Sequence, residues 1–132
     1  MSNKVYVVGV GMVPFMKPSA AGTYTEMGSG AVLCALEDAG LSYSAIQQAY
    51  ASYVFGDSAA GQAVLYKVGM TGIPIFNLNN YCASGSSGLF LARQAIESGA
   101  AECVLAVGFE QMPPGALKSN FTDRPSPVAR FA

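Results

Sequence analysis

Apolar residues come along this chain in short continuous runs, and longer stretches of helical spacing separate them. Residues 4–10 form the first run, β-branched and unbroken, the form taken by a strand buried on both faces. A loop rich in glycine, proline, serine and alanine then leads to Thr23. Thr23-Tyr24-Thr25-Glu26 has the spacing of a capping box, hydroxyl and carboxylate one helical turn apart. The helix it opens sets Met27, Ala31, Ala35 and Ala39 along one face with Val32 and Leu36 beside them. It turns Glu37 and Asp38 outward and meets a stop at Gly40. Residues 49–55 predict a second strand, and Asp57 or Ser58 can cap a helix that runs to Val68 before Gly69. Residues 74–78 predict a third strand, 83–98 a third helix and 102–109 a fourth strand.

Strands alternating with helices imply right-handed crossovers, and so an α/β fold with a mostly parallel sheet and helices on both faces. Beyond Glu110 the pattern dissolves, and Pro113, Pro114, Pro125 and Pro127 crowd into the remaining stretch. The expected division is an α/β core over residues 1–112 and an excursion away from the sheet over 113–132.

A chain of 132 residues is one domain or part of one. With 52% hydrophobic and 11% charged residues it has ample core material, and so little charge predicts a surface covered by other protein. A net charge of −1 with no lysine–arginine cluster argues against nucleic acid or an anionic membrane as partner. No segment is long enough to span a bilayer, and the start of the chain lacks the form of a signal peptide. Cys34, Cys82 and Cys103 are too few and too scattered for a disulfide framework. Without histidine they offer no zinc site. The expected setting is a reducing, intracellular compartment.

Gly9-Val10-Gly11 after the first run imitates the start of a dinucleotide fingerprint. Proline stands where the third glycine belongs and no helix begins there, so a simple glycine turn is the reading. Cys34, within the first helix, and Cys103, at the start of the fourth strand, read as small buried hydrophobes. Cys82 differs. It follows the third strand and opens a cluster of small residues, Ala83-Ser84-Gly85-Ser86-Ser87-Gly88, at the start of the third helix. Unpaired N–H groups and the helix dipole favour a thiolate there, and the thiolate is the nucleophilic form. Small residues also let the helix approach neighbouring backbone and leave room for a thioester above the sulfur.

The stretch Asn77-Leu78-Asn79-Asn80-Tyr81-Cys82-Ala83-Ser84-Gly85-Ser86-Ser87-Gly88 resembles the nucleophile motif of the thiolases. Gly56-Asp57-Ser58, Gly61-Gln62 and Gly69-Met70-Thr71-Gly72-Ile73-Pro74 are similar to the sterol carrier protein-x branch of that superfamily. So are residues 101–112, Gly115-Ala116-Leu117-Lys118 and Phe121-Thr122-Asp123-Arg124. The resemblance covers essentially residues 4–127. It implies the N-terminal half of a thiolase fold, truncated, with residues 113–132 beginning the loop domain. It also implies thiolytic cleavage of a branched or sterol-side-chain 3-oxoacyl-CoA to a shortened acyl-CoA and acetyl- or propionyl-CoA. Cys82 would carry the acyl group and its N–H would help hold an oxyanion. Coenzyme A would be a co-substrate, with no resident cofactor. Implied partners are an acyl-CoA and either a second copy or the C-terminal half of a thiolase; the implied compartment is peroxisome or cytoplasm.

One departure stands out. Thiolases activate the cysteine with a histidine and use a further cysteine or histidine as acid and base, all from later in a longer chain. This chain has no histidine. It is therefore expected to be inactive in thiolysis alone, and a non-catalytic role as an interaction module is the alternative. A ketoacyl-synthase-like condensing enzyme shares the fold and the helix-start cysteine, but the residues around Cys82 fit a thiolase better.

Overall fold

A computed structural model describes residues 2–115, 119, 121–127 and 129. Helix α1 (Tyr24–Ala39) leads through a 3-10 turn (Tyr43–Ala45) into strand β1 (Gln48–Ser52). Helix α2 (Ala60–Leu65), strand β2 (Ile75–Leu78), helix α3 (Ser84–Glu97) and strand β3 (Val104–Gly108) follow. The sheet is parallel with order β2-β1-β3, Ala49 lying opposite both Ile75 and Leu105.

The capping box forms as its spacing predicts. Thr23 Oγ1 accepts the Glu26 N–H at 3.3 Å, and Glu26 Oε2 accepts the Thr23 N–H at 2.8 Å. Those bonds from Thr23 hold the Glu26 carboxyl below its usual pKa. Its contribution to the cap is thus complete at neutral pH and fades as pH falls through that lowered value. Gly40, left-handed at φ 66°, closes the helix. Thr23→Ala is expected to cost about 1 kcal/mol of stability, read as an earlier midpoint in urea denaturation.

The buried stripe of α1 is Gly28, Ser29, Val32 and Leu36. It packs with Val64, Leu65, Tyr53, Leu105, Val107 and Phe109 into the main core on one face of the sheet. A Cβ on Gly28 would come within 2.7 Å of Val64 Cγ1, so glycine there is what lets α1 reach α2. On the opposite face α3 buries Ala92 and Ala95 against Tyr50. Both faces therefore carry helices, as the alternation of elements predicts. Exposed apolar side chains include Tyr6, Val7 and Val8 along residues 4–10 and Leu89 and Phe90 on α3.

The structure corrects several expectations. Residues 4–10 form no strand, and Tyr6, Val7, Val8 and Val10 are exposed. A strand is a property of pairing, and nothing in the described chain lies beside this segment at ladder distance. The second strand stops at Ser52: the Tyr53 N–H still donates to the Leu78 carbonyl at 3.2 Å, and the Glu110 carboxylate then takes the N–H groups of Val54 at 2.9 Å and Phe55 at 3.2 Å. Helix α2 is shorter than predicted and neither Asp57 nor Ser58 caps it. Ala59, left-handed at φ 62°, occupies the cap position, and Asp57 Oδ1 is engaged by the Ser58 N–H. Cys34 is exposed, because α1 turns its 28/32/36 stripe inward, and Cys103 is half-buried, packed against the rim of the main core. The resemblance drawn through residues 116–118 falls outside the described residues. No helix among those described is long and apolar enough to cross a membrane.

Candidate active site

Strand β2 ends at Leu78, and α3 begins at Ser84 with Ala83 as its cap residue. Cys82 stands in the corner between them, one residue before the cap and exposed. This is the predicted position to within a residue. Ala83 offers no side-chain cap and the first turn of α3 carries no acidic group. The positive end of a 14-residue helix is therefore unopposed on its own element where the thiol stands.

The corner is held by polar side chains. Tyr81 adopts φ 49°, a left-handed conformation that costs a tyrosine energy and persists only when its surroundings enforce it. Asn79 Oδ1 accepts the Tyr81 N–H at 3.1 Å. The Ser84 hydroxyl donates to the Tyr81 carbonyl at 2.6 Å and accepts the Asn80 N–H at 2.7 Å. Asn80 Nδ2 lies 3.0 Å from Ser87 Oγ, tying the corner to the first turn of α3. Ser84 is buried. Residue-by-residue reading singled out none of these supports; the pair Asn79-Asn80, turn formers placed before a tyrosine, was the available signal.

Small residues place α3 as expected. A Cβ on Gly88 would sit 2.6 Å from Ser52 Oγ, so only glycine lets the helix lie this close to β1, while Gly85 faces open space. The Gly61-Gln62 pair has a structural role on the other side of β2. Asn77 Oδ1 accepts the Gly61 N–H at 2.7 Å and the Tyr53 hydroxyl at 3.0 Å, and Asn77 Nδ2 donates to Gln62 Oε1 at 2.7 Å. Burial raises the pKa of the Tyr53 hydroxyl. Gly9 and Gly11 press on the backbone of α1, where a Cβ on Gly9 would lie 2.5 Å from the Ala35 carbonyl oxygen. That close approach accounts for both glycines without a phosphate. Among the described residues no cluster of metal-ligating side chains occurs.

Residues 5–125 match the family described as Thiolase, N-terminal domain. Sterol carrier protein 2 of Gallus gallus is 52% identical over 130 residues, covering 97% of this chain and 24% of the relative. Non-specific lipid-transfer protein-like 2 of Caenorhabditis elegans is 56% identical over 118 residues, covering 88% of this chain and 29% of the relative. The chain thus spans about a quarter of the length of these curated relatives. Among solved structures, the priming β-ketosynthase of the R1128 polyketide pathway superposes with a TM-score of 0.65 at 29% identity, covering 73% of this chain and 29% of that one.

Proposed function

The chain belongs to the thiolase family, and from that membership we propose that Cys82 is the acyl acceptor of a thiolytic reaction on a 3-oxoacyl-CoA. The observation that carries this reading is the exposed thiol at the strand-to-helix corner ahead of α3, inside the region of the family match. In the proposed step Cys82 Sγ attacks the 3-keto carbon. The bond between C2 and C3 breaks, its electron pair leaves on C2, and C2 takes a proton to give acetyl- or propionyl-CoA. The acyl group remains on Sγ as a thioester. The thiol of a second coenzyme A then takes the acyl group and restores the Cys82 thiol. A branched or sterol-side-chain acyl group is the substrate class, and the Cys82 N–H is one donor to the oxyanion.

Nothing in this chain supplies histidine for the proton transfers. The proposed division of labour is acyl capture at Cys82 and proton transfer by groups from other polypeptide. With pure protein, a 3-oxoacyl-CoA and coenzyme A, the expected result is negligible steady release of shortened acyl-CoA. Sustained release that Cys82→Ser abolishes would contradict that division.

A second reading, an interaction module that completes or joins a larger thiolase assembly, is favoured by a specific observation. Tyr6, Val7 and Val8 are 73%, 73% and 62% exposed in a segment whose composition suits a buried strand.

A further inference from the structure

Among the described residues two non-glycine positions adopt left-handed backbone, Ala59 at φ 62° and Tyr81 at φ 49°. Ala59 stands at the start of α2, and Tyr81 immediately precedes Cys82. Asparagine takes this conformation at lower cost than a bulky residue. Asn79 and Asn80 both stand just ahead, yet the left-handed position falls on the tyrosine.

Both peptide groups of Tyr81 are held. Its N–H donates to Asn79 Oδ1 at 3.1 Å, and its carbonyl accepts the Ser84 hydroxyl at 2.6 Å and the Ser84 N–H at 3.1 Å. With the backbone fixed from both sides, the direction in which the side chain leaves it is fixed as well. The ring does little for the fold in return. It is 51% exposed, belongs to neither buried cluster and joins none of the ring stacks among the described residues. Strain carried without service to the core marks a functional position. The trans peptide between them sets the Cα atoms of Tyr81 and Cys82 about 3.8 Å apart. A tyrosine side chain is longer than that, so an acyl group of several carbons on Sγ comes within its range.

We propose that Tyr81 determines acyl-group preference at Cys82, its ring serving as the wall against which the apolar body of a branched acyl group packs. This inference rests on the acyl-acceptor reading above and deepens it by naming a residue for the substrate class. An aromatic ring offers a flat apolar face, and a half-exposed ring has area still to cover. An acetyl group is too short to use that face, whereas a branched chain covers it, so the ring discriminates by size. Another polypeptide covering the ring would do so equally whatever acyl group Cys82 carries.

The test follows acyl transfer onto the full 132-residue chain from acetyl-CoA and from 2-methylhexanoyl-CoA, read at Cys82 by peptide-resolved mass spectrometry. In each transfer Sγ attacks the thioester carbonyl and the bond from that carbon to the sulfur of coenzyme A breaks. Coenzyme A leaves as the free thiol with the proton that Cys82 gives up. The quantity compared is the ratio of initial rates, branched over acetyl. Tyr81→Asn removes the ring and keeps a residue that tolerates left-handed backbone, Tyr81→Gly removes ring and strain together, and Tyr81→Phe keeps the ring. The ratio is expected to fall about tenfold in the first two, the worth of burying roughly two methylene groups, and to stay within about twofold in Tyr81→Phe. A looser corner would slow both transfers alike and leave the ratio where it was.

An unchanged ratio in the Tyr81→Asn and Tyr81→Gly variants would overturn the proposal, although transfer to Cys82 would leave the acyl-acceptor reading standing. A ratio that rises would make the ring an obstacle and overturn it too. An equal fall in Tyr81→Phe would assign the effect to the hydroxyl and overturn the packing role of the ring. Transfer of neither acyl group to Cys82 of the wild type would overturn both readings.

Discussion

Cys82→Ser is expected to lower the rate of covalent acyl capture from an acyl-CoA by about 1,000-fold or more. A serine hydroxyl at the same corner lacks the thiol's accessible ionised form, and the chain has no histidine to deprotonate it. The fold should tolerate the change. Cys82 is exposed, and the bonds that hold its corner come from Asn79, Asn80, Ser84 and Ser87. Stability should therefore move by no more than about 0.5 kcal/mol. Cys34→Ser serves as the control. That thiol is also exposed, but it lies within α1 rather than ahead of a helix start, so its loss should leave acyl capture unchanged. Intact-protein mass spectra of the three proteins at matched times would report both effects.

Leu65→Ala is expected to have the largest effect on stability. Leu65 is fully buried at 0% exposure, at the centre of the core that joins α1 and α2 to the sheet. Removing a buried leucine side chain costs about 2–5 kcal/mol, because contacts are lost and a cavity remains. Domains of this kind hold roughly 5–15 kcal/mol in total, so the variant would lose a large share of its stability. Urea denaturation followed by far-UV circular dichroism should show a much lower midpoint with a similar slope. An unchanged midpoint would mean that α2 does not anchor the fold. The opposite face, built on Tyr50, Ala92 and Ala95, is thinner and could not by itself carry the sheet.

How much of this could be read beforehand depended on how local the cause was. The start and stop of α1 are written in Thr23, Glu26 and Gly40, and the structure realises all of them. The third strand and third helix were legible from an apolar run followed by small residues, and with them the corner that holds Cys82. Residues 4–10 were not, because β-branched composition gives a tendency and only a neighbour makes a strand. The short span of α2 is not legible either, because the left-handed turn at Ala59 has no signature in alanine, whereas Asp57 and Ser58 have the chemistry of side-chain caps that the helix does not use. The exposure of Cys34 is not legible, because α1 carries small residues on most of its circumference and its pattern does not choose a face. The left-handed Tyr81 lay beyond residue chemistry altogether, since tyrosine resists that conformation and only Asn79 and Ser84 impose it. The role of Cys82 came from likeness to the thiolases, while its place on the corner came from the chain itself.

Apolar surface left open along residues 4–10 and on α3 ties these threads together. A chain with 11% charged residues exposes Leu89, Phe90, Tyr6 and Val7, the kind of surface that the proposed interaction-module reading would have other protein cover. The two proposed readings, acyl capture at Cys82 and assembly with other protein, are compatible with each other.

The most direct measurement is peptide-resolved mass spectrometry of the wild-type chain after brief incubation with acetyl-CoA, comparing acyl occupancy at Cys82, Cys34 and Cys103 in the same molecules. The account predicts a thioester at Cys82, with occupancy at Cys34 lower by about tenfold or more, as expected for a helix-start thiol against an ordinary exposed one. Equal labelling of Cys82 and Cys34, or none at Cys82 in a chain shown to be folded, would contradict it.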